Sequence, residues 1–185
     1  MTTFTTADGT EIYFNDWHPA GASGPAIVLI HGWPLDADMW SAQALALAAA
    51  GHRVVAYDRR GFGRSSQPWS GYDYDTMSDD LAALIDHLGL SEVVLVGFSM
   101  GGGEVARYLG RHGGAKVSKA VLISAVTPFL LKTDTNPTGV DQSVFDGMIA
   151  GLTADRAHFF ADFFPAFYGN TMLHKRVSSE VLAWT

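Results

Sequence analysis

Val93-Val94-Leu95-Val96 runs straight into Gly97-Phe98-Ser99-Met100-Gly101, and no other junction constrains the fold of this chain as tightly. Four consecutive apolar β-formers predict a strand buried on both faces. The segment Glu104-Val105-Ala106-Arg107-Tyr108-Leu109 that follows suits a helix. Gly-x-Ser-x-Gly between a strand and a helix is a sharp turn that lifts a serine hydroxyl out of the sheet. Side chains two residues either side of that serine would collide with the neighbouring strand or helix, so only tiny ones fit. A helix beginning at Met100 points its unpaired N–H groups and positive dipole end at the place where an oxyanion forms. Ser99 is therefore the nucleophile candidate, and it needs a base, because a serine hydroxyl is hardly ionised at neutral pH.

The rest of the chain reads as alternating strands and helices. Residues 2–6 and 10–17 alternate in polarity around Asp8-Gly9, a hairpin signal, and predict an antiparallel pair at a sheet edge. Ala26–Ile30, Arg53–Tyr57, Glu92–Val96 and Val121–Ser124 predict further strands, and Asp38–Ala50 and Thr76–Leu88 predict helices closed by Gly51 and Gly89. Such alternation means a mostly parallel sheet with helices on both faces. Residues 1–127 read as the N-terminal part of this core. Residues 128–185, rich in Phe, Met, Leu and Asp at helical spacing, read as two or three helices of an incomplete cap over the site.

Composition narrows the partners. A net charge of −7 argues against nucleic acid and anionic membrane, both of which demand clustered Lys and Arg. The chain has no cysteine, which excludes disulfides, thiolate chemistry and cysteine-zinc sites. The start Met1-Thr2-Thr3-Phe4-Thr5 has neither basic residues nor an apolar run, so no signal peptide is read and a cytoplasmic location is expected.

Four groups of residues bear on chemistry. His31-Gly32-Trp33-Pro34 ends the first parallel strand, where ligands of open α/β sheets bind. The backbone N–H groups of Trp33 and Met100 are expected to form an oxyanion hole together, the pairing this turn type leads one to look for. A base must reach the serine from the side opposite those donors, so His31 reads better as a brace of the loop than as the base. Pro34 restricts Trp33 to extended geometry, either to aim its carbonyl at a bound acyl group or peroxide, or simply as a rigid turn. Asp58-Arg59-Arg60-Gly61-Phe62-Gly63-Arg64-Ser65 matches neither a Walker loop nor a dinucleotide fingerprint, and a buried Asp58–Arg brace is expected instead. Phe98, Pro34, Phe129 and Phe163 are candidates for the substrate pocket, with core packing as the alternative for the aromatics.

The base is harder to place. His112 lies at the far end of the helix after Ser99, roughly 20 Å away at ~1.5 Å per residue. His158 and His174 follow no parallel strand. The acid and histidine of such a site come after the serine. No strand beyond the one near Val121 is read that carries either, so the chain is expected to stop short of its own triad.

These residues together resemble the α/β-hydrolase fold, and within it the cofactor-free, non-haem haloperoxidases and their aryl-esterase relatives. The resemblance runs from about Thr3 through Tyr168. It rests on His31-Gly32-Trp33-Pro34, on Tyr57-Asp58 through Arg64-Ser65, on Gly97-Phe98-Ser99-Met100-Gly101-Gly102-Gly103-Glu104-Val105-Ala106-Arg107-Tyr108, and on Ala125-Val126-Thr127-Pro128. It implies a Ser-His-Asp triad with Ser99 as nucleophile and Trp33 and Met100 as oxyanion donors, with no cofactor and no metal. It implies hydrolysis of small esters, and perhydrolysis of carboxylic acids by hydrogen peroxide to a peracid that oxidises halide. Pro34 resembles the perhydrolase side of the family. Members are longer, and their triad Asp and His lie on the last two strand-to-helix connections, segments not found here. A sheet without its closing strands exposes a hydrophobic edge, so self-association into a homo-oligomer is also expected. The rival reading is a non-enzymatic chain, an inert fragment or a ligand-binding hydrolase relative without a working triad.

Overall fold

The computed structural model describes residues 2–185. They divide into two compact units, the first ending at Pro128 and the second comprising Phe129–Thr185.

In the first unit a six-stranded sheet has the order β1-β2-β4-β3-β5-β6. β1 (Thr3–Thr5) and β2 (Glu11–Trp17) form the antiparallel edge, joined at a turn where Gly9 takes φ 87°. Asp8 closes that turn by accepting hydrogen bonds from the Thr6 hydroxyl and the Thr10 N–H. β3 (Ile27–Ile30), β4 (Val54–Tyr57), β5 (Val93–Phe98) and β6 (Val117–Ile123) are parallel.

Side-chain alternation along the central strands distributes the core between the two faces. Val28 and Ile30 of β3 join Val55, Leu95 and the helix residues Leu81, Leu84, Ile85, Val105 and Tyr108 in one cluster. Ile27 and Leu29 turn the other way and pack with Ala37, Trp40, Ala44, Val54 and Ala56. Each aliphatic side chain so buried stabilises the sheet–helix layers by roughly 1.5–3 kcal/mol.

The helices start and stop where short-range chemistry dictates. The helix expected over Asp38–Ala50 is split: Ala37–Trp40 is a 3₁₀ turn, capped by the Asp36 carboxylate on the Asp38 N–H, and α1 is Ser41–Ala49. α2 (Tyr74–His87) begins two residues before the expected Thr76 because Asp73 caps it, accepting from the Thr76 N–H at 2.9 Å. Its buried face carries Met77, Leu81, Leu84 and Ile85, the spacing of one helical stripe. α3 (Met100–His112) ends on Gly113, left-handed at φ 70°.

β6 begins at Val117, four residues before the expected Val121, because Val117 and Lys119 pair with Val93 and Val94 of β5, across a register irregularity that leaves Ser118 unpaired in the ladder. It is the outer strand of the sheet, with Val121, Leu122 and Ile123 all exposed.

The second unit contains α4 (Gln142–Ala154), α5 (Arg156–Phe167) and α6 (Ser179–Trp184). Asp155 separates α4 from α5 and caps the latter through the His158 N–H. Gly151 lets the Phe159 ring approach the α4 backbone; a methyl there would stand 2.8 Å from it. The expectation of no strand-like run in this part needs one qualification: isolated bridges pair Leu131 with Val140 and Thr133 with Asn136. Among the described residues no helix is long and apolar enough to cross a membrane.

Candidate active site

The chain leaves β3 outward to β4 and returns past it to β5, so the strand order reverses between β3 and β5. Beyond the carboxyl ends of two such strands a crevice forms, and open α/β sheets bind ligands there. The loop His31–Pro34 leaves β3 at this point and Ser99 leaves β5.

Ser99 is half-buried and adopts φ 51°, ψ −115°, a conformation few non-glycine residues hold. Its backbone is fixed from both sides. The Ser99 N–H donates to the Ile123 carbonyl at 2.9 Å, and the Ser99 carbonyl accepts from the N–H groups of Gly102 and Val126. The end of β6 thus clamps the strained residue in place. The glycines do the steric work expected of them. A methyl on Gly97 would collide with the Gly101 carbonyl, and one on Gly101 with the Ile30 carbonyl. Gly102 lies against Ala125 and Gly103 against the Tyr74 ring, which accounts for the glycine triplet by close packing alone.

The two loops meet. A methyl on Gly32 would lie 2.8 Å from the Phe98 ring and 3.1 Å from the Ser99 Cβ. Trp33 and Pro34 are half-buried beside it, and Met100 heads α3, where helix geometry leaves its N–H without an intrahelical acceptor. Phe129, 40% exposed, and Phe163, in the α5 ladder of rings, belong to the second unit.

His31 is fully buried, with both ring nitrogens occupied. Nδ1 faces the Gly32 carbonyl at 2.9 Å and must donate to it, while Nε2 accepts the Arg59 N–H at 3.1 Å. Burial, with the Arg59 charge second, holds its pKa well below the ordinary imidazole value. This is a neutral brace with no nitrogen left for a serine. His112 sits at the other end of α3 beside Asp79, and His158 faces Asp162 within α5 at 3.5 Å. The His174 N–H caps a turn on the Thr171 hydroxyl. Among the described residues no side chain hydrogen-bonds the Ser99 hydroxyl, and no cluster of His, Asp and Glu is arranged to hold a metal ion.

The loop after β4 is locked by ion pairs of its three arginines. Asp58, fully buried, accepts from the Ala37 N–H, the Arg64 N–H and the Arg64 guanidinium, as the sequence predicts. Arg60 forks onto Asp80 and reaches Asp8, whose carboxyl this guanidinium holds well below the usual carboxylate range. Arg59 forms the third pair, with Glu104, which the sequence reading missed. Glu104 is fully buried on α3, one turn beyond Met100, and accepts from Arg59 Nε at 2.7 Å and from the Tyr57 hydroxyl. Burial pushes its carboxyl above the ordinary range, and Arg59 and Tyr57 pull it back. The available signal was a glutamate on the packed face of a glycine-rich helix, a place where an ion needs a partner.

Comparison with known proteins fits this geometry. A family model described as alpha/beta hydrolase fold matches residues 25–177. A non-heme chloroperoxidase of Streptomyces lividans is 51% identical over 162 residues, covering 88% of this chain and 58% of its own length. A bifunctional esterase/perhydrolase of Acinetobacter calcoaceticus is 48% identical over 180 residues, 96% of this chain and 64% of the relative. The crystal structure of a bromoperoxidase from Bacillus anthracis superposes with a TM-score of 0.87 at 42% identity, over 99% of this chain and 66% of that one. The chain therefore spans 58% and 64% of the length of these two curated relatives. On the family match and on this sheet, elbow and loop geometry, the chain belongs to the α/β-hydrolase fold family.

Proposed function

We propose that this chain carries the nucleophilic half of a serine hydrolase acting on small carboxylic esters, with hydrogen peroxide as an alternative acyl acceptor. The observation that carries the reading is Ser99 itself: a strained residue clamped between β5 and β6, with a helix N-terminus directly after it and the Gly32–Pro34 loop against it. The names of the relatives, chloroperoxidase and esterase/perhydrolase, support the choice of substrate class.

In this reading the Ser99 Oγ attacks the ester carbonyl carbon and its proton passes to a base. The developing oxyanion is met by the Trp33 and Met100 N–H groups, and the alkoxide leaves with a proton as the alcohol. Water then attacks the acyl-enzyme to release the carboxylic acid, or hydrogen peroxide attacks to release the peracid. The peracid oxidises halide and is itself reduced to the acid, so no metal or haem takes part. Phe98 and Pro34, both of the first unit, are assigned to the acyl pocket. His31, with both ring nitrogens engaged, is not assigned as that base.

That last point also favours the second reading, a hydrolase relative that binds ligands without turning them over. Turnover of p-nitrophenyl acetate by this chain beside its Ser99→Ala variant separates the two. Turnover that falls to background in Ser99→Ala supports the hydrolase; equal background in both supports the binder.

A further inference from the structure

A fully buried ion pair is an unusual thing to place under a nucleophile. Replacing one with matched apolar groups is often neutral or stabilising, so a stability role explains Arg59–Glu104 poorly. Its other contacts explain it better. Arg59 Nη2 donates to the His31 carbonyl at 2.9 Å, and Arg59 N–H binds the His31 ring. The remaining nitrogen, Nη1, stands 3.7 Å from the Met100 sulfur. Gly101 has no Cβ to fill the space beside that same His31 carbonyl; a methyl there would stand 2.7 Å from it. One guanidinium, fixed from α3 by Glu104, therefore touches the segment entering Trp33 and the side chain of Met100, the two residues whose N–H groups the proposed oxyanion hole uses. Tyr57, the last residue of β4, holds the second Glu104 oxygen and fixes the carboxylate in turn.

We infer that Tyr57, Glu104 and Arg59 are positioning residues that hold the Gly32–Trp33 loop and the first turn of α3 in a single frame, setting the spacing of the two oxyanion donors. None of them touches substrate. The kinetic half of this inference rests on Ser99 being the nucleophile; the structural half does not.

Two variants of the full chain test it. Glu104→Gln keeps the shape and removes the charge that fixes Arg59. Arg59→Met/Glu104→Leu removes both charges and avoids a stranded buried ion, yet leaves no donor for the His31 carbonyl. Amide hydrogen exchange and fluorophosphonate labelling of the serine are then measured. In both variants the Trp33 and Met100 amides should exchange about tenfold faster. The Ala37 and Arg64 amides, held by Asp58, should keep their original rates. The limiting labelling rate should fall about 100-fold, with the half-saturating concentration unchanged. A double variant with unaltered Trp33 and Met100 exchange, or with restored labelling, overturns the inference and leaves the pair a structural one. If the unaltered chain is not labelled, or Ser99→Ala is labelled equally, the reading of Ser99 falls, while the exchange measurement still decides the positioning role.

Discussion

A single imidazole shows how much of the site is decided residue by residue. His31 follows β3 in the loop that meets the elbow, the place where a reader of the sequence looks for a base. The fold instead spends both of its nitrogens on backbone partners and buries it beside Arg59. This arrangement has a thermodynamic signature. A histidine whose folded pKa is lowered stays neutral in the folded chain, while the unfolded chain takes up a proton below about pH 6.5. Stability is therefore full above that pH and falls by about 1.4 kcal/mol per pH unit as the solution is acidified toward the folded pKa. Urea unfolding between about pH 7.5 and about pH 5.5 should show this slope. It should be shallower by one proton in His31→Asn, and an equal slope in both chains contradicts the assignment of His31 as a buried neutral brace. What the sequence does make legible at this scale is steric. The need for glycine at 97 and 101 follows from the turn alone, because both neighbours are backbone atoms that cannot move aside.

At the scale of elements, α3 has two faces with opposite demands. At Gly101 it presses against the end of β3, whereas at Gly110 nothing lies within 4 Å of an added methyl. Gly101→Ala should therefore cost about 1–3 kcal/mol through overpacking. Gly110→Ala, in the same helix, should gain about 0.5–1 kcal/mol from reduced backbone freedom in the unfolded chain. Urea midpoints of the two variants check this pair of signs, and a shift in the same direction for both contradicts the packing described. Elements with an uninterrupted apolar run or a clean helical stripe, β3, β4 and α2, are legible in the sequence because burial alone defines them. The 3₁₀ turn before α1 is not, since a side-chain cap at Asp36 and the Asp58 contact to Ala37 decide it. The early start of β6 is not either, because backbone pairing to β5 carries Val117 and Lys119 into the strand without an uninterrupted apolar signal.

In the first unit the elbow and the Gly32–Pro34 loop meet where the strand order reverses, and ion pairs of Arg59, Arg60 and Arg64 hold the β4 loop. The Asp58 pair is legible because aspartate and arginine share one short loop. The Arg59–Glu104 pair joins positions 45 residues apart and becomes visible only when the sheet brings β4 and α3 together. The site is legible in the same uneven way: the elbow is written in five consecutive residues, whereas the identity of a base depends on how distant segments meet. The proposed role of Ser99 as nucleophile is checked by treating the chain with a fluorophosphonate and locating the adduct by peptide mass spectrometry. One adduct, on Ser99, is expected, and none in Ser99→Ala. An unmodified Ser99, or an adduct elsewhere that survives the substitution, contradicts it.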